Sequence, residues 1–369
     1  MKIAYVTIHI EPKLINGGVG NKINSQISIW KSLGHSVTLF SLTPEPVLAI
    51  PEVEQFFFKP SLNVPVLKTL TREISRSLGL AKLISAVRRY RPDVIYFRFG
   101  LFTLPLQELF KVAPVVLEVN SNDRAEYRSK GLFFYWLNRI TRGLIFSRCA
   151  GWVASSHELA NLETSGKPVC VISNGIELDK YQPIPAPHNS SPALALVGSP
   201  GMSWHGVDKL FPLAERYPDL GIHIIGYRRE DFREPVPDNV HLHGYLEPEQ
   251  VRKVLTGVDT VFGTLALYRK KMEEASPLKV REALAYGIPV ILGYYDTDLS
   301  DIDSDLFYFM PNTETNVLDH AQAIHEFAVR VMGRRVERDM VLSRIDQRRK
   351  EETRLQFFNA VITAARESS

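Results

Sequence analysis

The chain has 369 residues, which is too many for one ordinary hydrophobic core and suits two domains. With 45% hydrophobic and 23% charged residues it reads as globular and leaves little room for disorder. Two cysteines, Cys149 and Cys170, exclude a disulfide framework, and a formal charge of +3 is too weak to argue for nucleic acid. The first apolar run, Met1 to Ile8, soon meets His9 and Glu11, and no run approaches the length of a membrane span. A cytoplasmic protein, free or at the inner face of the membrane, is the expectation.

In chain order, strands are expected near 2–8, 36–41, 53–58, 93–98, 113–119, 151–155 and 168–173. Helices are expected near 19–33, 69–91, 125–148 and 156–164. Gly34 follows the first helix where a left-handed cap is wanted. Segment 182–192 carries four prolines, which deny both helix and sheet and mark a linker. The rhythm then restarts, with strands near 193–198, 221–226, 239–243, 258–263, 288–292 and 306–310. Helices are expected near 206–216, 247–256, 276–286 and 314–332, and a last amphipathic helix over about 336–366. Short β-rich runs alternating with amphipathic stretches predict α/β architecture with parallel sheets. The reading is two Rossmann-like, doubly wound domains facing a cleft, spanning 1–185 and 186–345. Ligands in such sheets sit beyond the carboxyl ends of the strands.

The sharpest local signal runs from Glu274 through Ser276-Pro277-Leu278-Lys279 to Glu282 and Gly287. Ser276 suits an N-cap, Pro277 the first helical position and Gly287 a C-cap. The free N–H groups of Leu278 and Lys279 would then leave a positive helix end that suits a diphosphate. Glu282 could accept hydrogen bonds from ribose hydroxyls, and Glu274 could reach the sugar beyond. The competing reading is a surface helix with Lys279 and Glu282 paired. Gly17 and Gly18, between the first strand and helix, let backbone amides approach a phosphate or sugar, though G-x-G-x-x-G is not met. His205, Lys209 and Lys271 could balance a diphosphate charge, with Lys271 nearest the helix end. Asp296 and Asp298 match D-x-D but read as turn chemistry, and no zinc-ligand spacing is present among the ten histidines.

Together these residues resemble the family 4 retaining glycosyltransferases of GT-B fold. Glu274 and Glu282 meet the family's E-x7-E motif, followed by Ala-Leu-Ala-Tyr-Gly-Ile-Pro-Val-Ile. Val171-Ile-Ser-Asn-Gly-Ile-Glu-Leu-Asp-Lys-Tyr181 and the Gly17–Gly18 loop fit as well. The resemblance implies a nucleoside-diphosphate sugar donor, with Glu274 at the donor sugar as catalytic residue and Glu282 at the ribose. It implies a glycan or lipid-linked acceptor hydroxyl, polysaccharide or glycolipid assembly, no cofactor and no obligatory metal, and a C-terminal helix, about 346–369, that crosses back to the N-terminal domain. Two departures stand out. Val197-Gly198-Ser199 and His205-Gly206 replace the arginine and lysine usual at the diphosphate, and Glu118-Val-Asn120 replaces the usual histidine, leaving Asn120 to bond the donor. A sugar-nucleotide epimerase or hydrolase, or an inactive GT-B module binding glycan or a protein partner, are the alternatives. Segment 131–142 is aromatic and basic together, which suits either an interfacial helix on anionic lipid or a core helix with solvated arginines.

Overall fold

The computed structural model describes residues 1–8, 18–46, 53–58, 65–163 and 165–367. The chain clusters into two units, residues 1–155 with 159–172 and 351–369, and residues 156–158 with 173–350. Each has its own parallel sheet. In the first, β1 (Lys2–Ile8), β2 (Ser36–Thr43), β3 (Val53–Phe57), β4 (Val94–Arg98), β5 (Val115–Val119), β6 (Gly151–Ala154) and β7 (Val169–Val171) stand in the order β3-β2-β1-β4-β5-β6-β7. Strand β5 is buried at every position and β1 at all but its first, as expected of strands covered on both faces. Between strands run α1 (Gly18–Ser32), α2 (Pro65–Tyr90), α3 (Asp123–Ser129), α4 (Leu132–Arg148) and α5 (His157–Asn161).

In the second unit, β8 (Ala193–Val197), β9 (Gly221–Ile225), β10 (Val240–Gly244), β11 (Thr260–Phe262), β13 (Val290–Leu292) and β15 (Phe307–Phe309) stand in the order β10-β9-β8-β11-β13-β15. A separate two-residue pair joins β12 (Glu274–Ala275) to β14 (Tyr295–Asp296). Helices here are α6 (Leu210–Arg216), α7 (Pro248–Leu255), α8 (Leu278–Ala285), α9 (Asn316–Asp319), α10 (Ala321–Arg330) and α11 (Arg338–Ile345). Both sheets reverse direction of growth beside their first strand, which is the switch point where such folds bind ligands.

Three expected helices are broken in two. Gly131, at φ 121°, separates α3 from α4, and His320 separates α9 from α10. The terminal helix divides at Asp346, whose extended backbone pairs with Ile176 and whose carboxylate caps Arg349 N at 2.9 Å, opening α12 (Gln347–Glu367). The proline-rich segment was expected to separate the domains, but it lies along the second unit. Ile184 N donates to Tyr286 O, and Arg335 donates to the carbonyls of Ile184 and Pro185. The division therefore falls at Ile172 and Ser173, and its return at Lys350 and Glu351.

From Glu351 onward α12 completes the first core, with Leu355, Phe358, Val361 and Ile362 packed among Ile3, Tyr5, Trp30 and Tyr96. It also carries charge inward. The fully buried Glu351 accepts from Trp30 Nε1 at 2.8 Å and from Arg354 Nε at 2.8 Å, while Arg354 Nη1 donates to the Tyr96 hydroxyl at 2.6 Å. Removing one member of a buried pair strands the other charge, at a cost of about 3–5 kcal/mol. Glu351→Ala is expected to destabilise the chain by that amount in urea unfolding, far more than truncation of a surface glutamate such as Glu352.

The second sheet ends in three stacked histidines. His223 Nδ1 lies 3.0 Å from His243 Nε2, and the rings of His223 and His241 are 4.9 Å apart. His223 and His241 line a cavity of about 530 Å³ with Asp219 and Asp238. Burial, then the neighbouring imidazoles, holds His223 down at about 4. Its folded value lies below the ordinary one, so its stabilising contribution is whole above about pH 6.5 and is lost as pH falls toward 4. Urea midpoints at pH 7, 6 and 5 are expected to fall less steeply for His223→Gln than for the parent.

Candidate functional site

Helix α8 begins beside the carboxyl end of β8. Pro277, rather than Ser276, occupies its N-cap position, with no side-chain oxygen over the first turn. Ser276 is spent elsewhere, its hydroxyl accepting from Asn174 N at 3.0 Å while Asn174 Nδ2 donates to Ser276 O at 2.9 Å. The N–H groups of Leu278 and Lys279 are left without an intrahelical partner, as at any helix start. Leu278 is 42% exposed.

Lys279 reaches from that first turn back to the sheet and donates to Val197 O at 2.9 Å. No carboxylate pairs with it among the described residues, and burial pulls its ammonium down to about 7. Beside it, His205 Nδ1 accepts from Ser199 N at 3.2 Å. Burial, then Lys279 and Lys270, hold its imidazole down at about 3, so it is neutral at physiological pH. The backbone is close here: a Cβ on Gly198 would lie 2.7 Å from the Tyr227 ring and 2.8 Å from His205, and one on Gly226 only 2.1 Å from Gly198 O. Glycine is the residue these two positions accept. Glu282, on the second turn, is half-buried with its carboxyl raised by burial. No hydrogen bond to it is made among the described residues.

The other sequence-predicted residues are placed differently. Lys209 is buried, and its three protons go to Leu265 O, Thr313 O and Asn316 Oδ1 at 2.8–2.9 Å, leaving none for a phosphate. Lys271 is exposed, with a left-handed backbone at φ 54° that closes the turn before Glu274. Arg269 forks onto Asp208, and Lys270 lies over the Trp204 ring. Glu274 was expected on the sugar side of the helix end. Instead it is 5% exposed, and its two oxygens accept from His157 N at 3.0 Å and Glu158 N at 2.6 Å. Glu158 answers by accepting from Glu273 N and Glu274 N, each at 2.9 Å. The helix start at His157 draws in a carboxylate for the same reason that one attracts a phosphate. Asp296 and Asp298 bind Arg281.

Gly17 lies outside the described residues, and Gly18 opens α1 in the first unit. Asn120 is in that unit too, its Oδ1 accepting from Lys22 Nζ at 2.9 Å. Next to it Glu118 accepts from Arg98 at 3.1 Å and from the Tyr5 hydroxyl at 2.7 Å. Burial works against the Glu118 carboxylate, but Arg98 and Lys22 outweigh it and hold it at about 2. A cavity of about 170 Å³ opens over this cluster, lined by Val19, Arg98, Glu118, Asn120, Tyr127 and Lys130.

Residues 16–180 match the Glycosyltransferase Family 4 profile. That stretch is similar to the family 4 glycosyltransferases. No curated protein matches the chain in sequence. Among solved structures, sucrose-phosphate synthase from Thermosynechococcus elongatus is similar over 98% of this chain and 99% of its own, at 14% identity and a TM-score of 0.68. The lipopolysaccharide outer core galactosyltransferase WaaB, in its apo form, is similar over 99% and 100%, at 15% identity and 0.67. Anabaena HepE, in complex with UDP and glucose, is similar over 98% and 100%, at 12% identity and 0.64. Identities this low speak for the fold, and the fold is GT-B.

In the first unit, the Glu118, Arg98, Lys22 and Tyr5 cluster was not picked out from the sequence. Its signal was Arg98 and Glu118 in otherwise apolar strands, since buried charges in a sheet need partners. Arg281 was missed in the same way, hidden inside the motif that drew attention to Glu274 and Glu282. The reciprocal bonds of Glu274 set up a direct test. Glu274→Gln turns one acceptor into a donor that faces a backbone N–H, so a buried bond to a charge is lost. A loss of about 1.5–3 kcal/mol in urea unfolding is expected.

Proposed function

We propose that this GT-B chain transfers a sugar from a nucleoside-diphosphate sugar to an acceptor hydroxyl, with retention at the anomeric carbon and without an obligatory metal. The observation that carries the reading is Lys279, a half-buried ammonium beside a helix start, with no counter-anion among the described residues. A diphosphate there would supply the missing charge and accept from the Leu278 and Lys279 N–H groups. Glu282, with a carboxylate that no donor among the described residues occupies, is the candidate for the ribose hydroxyls. Lys279 would thus take over the work of the arginine and lysine absent at Val197-Gly198-Ser199 and at His205. Positive charge already in place where the leaving diphosphate develops its own is the main catalytic contribution expected. Asp296 and Asp298 are engaged by Arg281 and Lys350, which supports leaving a metal out of the reaction. The acceptor class, a glycan or lipid-linked sugar, rests on the family resemblance and suits polysaccharide or glycolipid assembly.

A non-catalytic glycan-binding module on the same fold is the second reading, favoured by the backbone bonds that hold Glu274. Sugar transfer to an added acceptor, with or without EDTA, separates the two. Thermal shift with UDP, GDP, ADP and dTDP sugars first finds the donor. Calorimetry with that nucleoside diphosphate then tests the site. Lys279→Met is expected to weaken binding about tenfold to a hundredfold while leaving the free nucleoside unaffected. Glu282→Ala is expected to weaken both, and equal affinities in parent and variants would remove the assignment. Binding an anion raises the Lys279 value from about 7, so association near pH 8 is expected to take up a proton, and affinity to fall as pH rises from 7. The heat of binding measured in buffers of different ionisation enthalpy reads that proton.

A further inference from the structure

Helix α4 is turned inside out for a protein surface. Its buried positions are Asn138, Arg142, Ile145 and Phe146. Arg142 donates to Asp123 at 3.1 Å and pairs with Glu163, while Asn138 Nδ2 donates to Asp123 at 2.6 Å. The polar residues that would ordinarily face water therefore hold the helix to the unit. Facing out are Leu132 at 70% exposure, Phe133 at 72%, Trp136 at 54%, Ile140 at 73% and Leu144 at 42%. Four of these five, Leu132, Trp136, Ile140 and Leu144, follow each other at i,i+4, so they form one stripe roughly 18 Å long. A contiguous exposed apolar stripe of this kind marks a contact with something.

Charge decides what. From Asp123 to Arg148 the exposed charged side chains are Arg124, Arg128, Lys130, Arg139 and Arg148 against Glu126 alone. Helix α4 has no acidic residue, and the Arg139 guanidinium lies over the Trp136 ring at 5.7 Å. A second copy docked face to face would set these cations against their own kind. An anionic lipid surface meets both demands, taking the aromatic stripe into the acyl boundary and the cations among the headgroups.

We propose that the outer face of α4 docks on an anionic lipid bilayer. This does not rest on the transferase reading, because the stripe is outside the residues assigned to the donor. Co-sedimentation with vesicles of phosphatidylcholine alone, and of phosphatidylcholine with 30% phosphatidylserine, tests it at low and high salt. Binding is expected only to the anionic vesicles, and to fall steeply with salt, since each basic residue near the surface contributes about fivefold at low salt. The combined variant Phe133→Ser, Trp136→Ser, Ile140→Ser is expected to lose about a hundredfold in partitioning or more. Its melting temperature should stay near that of the parent, because the three side chains are exposed. Lys130→Glu with Arg139→Glu is expected to weaken binding while leaving the apolar stripe in place. Failure to bind anionic vesicles at low salt, or equal binding by the serine variant, overturns the proposal. So does a dimer in sedimentation that the serine variant abolishes without any lipid binding, which would make the face an interface between copies.

Discussion

Arg281 is fully buried, and what surrounds it holds together the corner of the second unit where α8 begins. Its guanidinium forks onto Asp296 and also reaches Asp298 at 2.5 Å and Asn174 O at 3.2 Å. Tyr294 donates to Asp296 at 3.1 Å, and Ser173 and Lys350 bind Asp298. Helix α8, the β14 strand, the segment that enters the unit at Ser173 and the one that leaves it at Lys350 all meet at one cation. A buried charge of this kind adds little net stability over an apolar substitute, but it tolerates few alternative arrangements. The start of α8, and with it Lys279 and Glu282, inherits its position from that constraint.

The same accounting of charge separates two sorts of buried cation in the molecule. Arg281 and Arg354 are each matched by carboxylates, and both are held more firmly protonated than in water. Lys279 is matched by a single carbonyl and is pulled down instead. Lys209 has three oxygens but no carboxylate at its ammonium, which makes it a strut between the loop at Leu265 and the turn at Thr313. Cations matched by carboxylates build the fold, whereas Lys279, beside a helix start, meets no carboxylate among the described residues.

Helices α4 and α8 each bury an arginine but place their apolar residues on opposite sides. In α8 the apolar residues Val280, Ala283 and Leu284 face the sheet with Arg281 buried among them, while Lys279 and Glu282 are half-buried. In α4 the chain gives up that order, burying Asn138 and Arg142 against Asp123 and leaving rings in the open. Such an inversion forfeits burial of apolar surface on folding, and it makes sense where that surface is covered by something else.

Local pattern alone was enough for the parallel α/β architecture, for almost every strand, and for the position of α8, because apolar β-branched runs, Pro277 and Gly287 act over a few residues. It was enough, too, for the family resemblance, since Glu274 and Glu282 lie eight apart in the chain wherever they point. Direction and partnership were decided only in three dimensions. Glu274 turned to His157 N and Glu158 N, over a hundred residues away, and Lys209 turned inward to Thr313 and Asn316. Neither choice leaves a trace in spacing. The breaks at Gly131 and Asp346, and the packing of 182–192 along the second unit, depended likewise on what the backbone met after folding. The segment 131–142 read either as a core helix with solvated arginines or as an interfacial one, with the pattern leaning slightly to the core, because a helix with apolar residues on one side and basic residues on the other can face either way. Asp123 and Glu163 drew Arg142 inward, and that pairing, invisible in the local pattern, settled which face meets solvent.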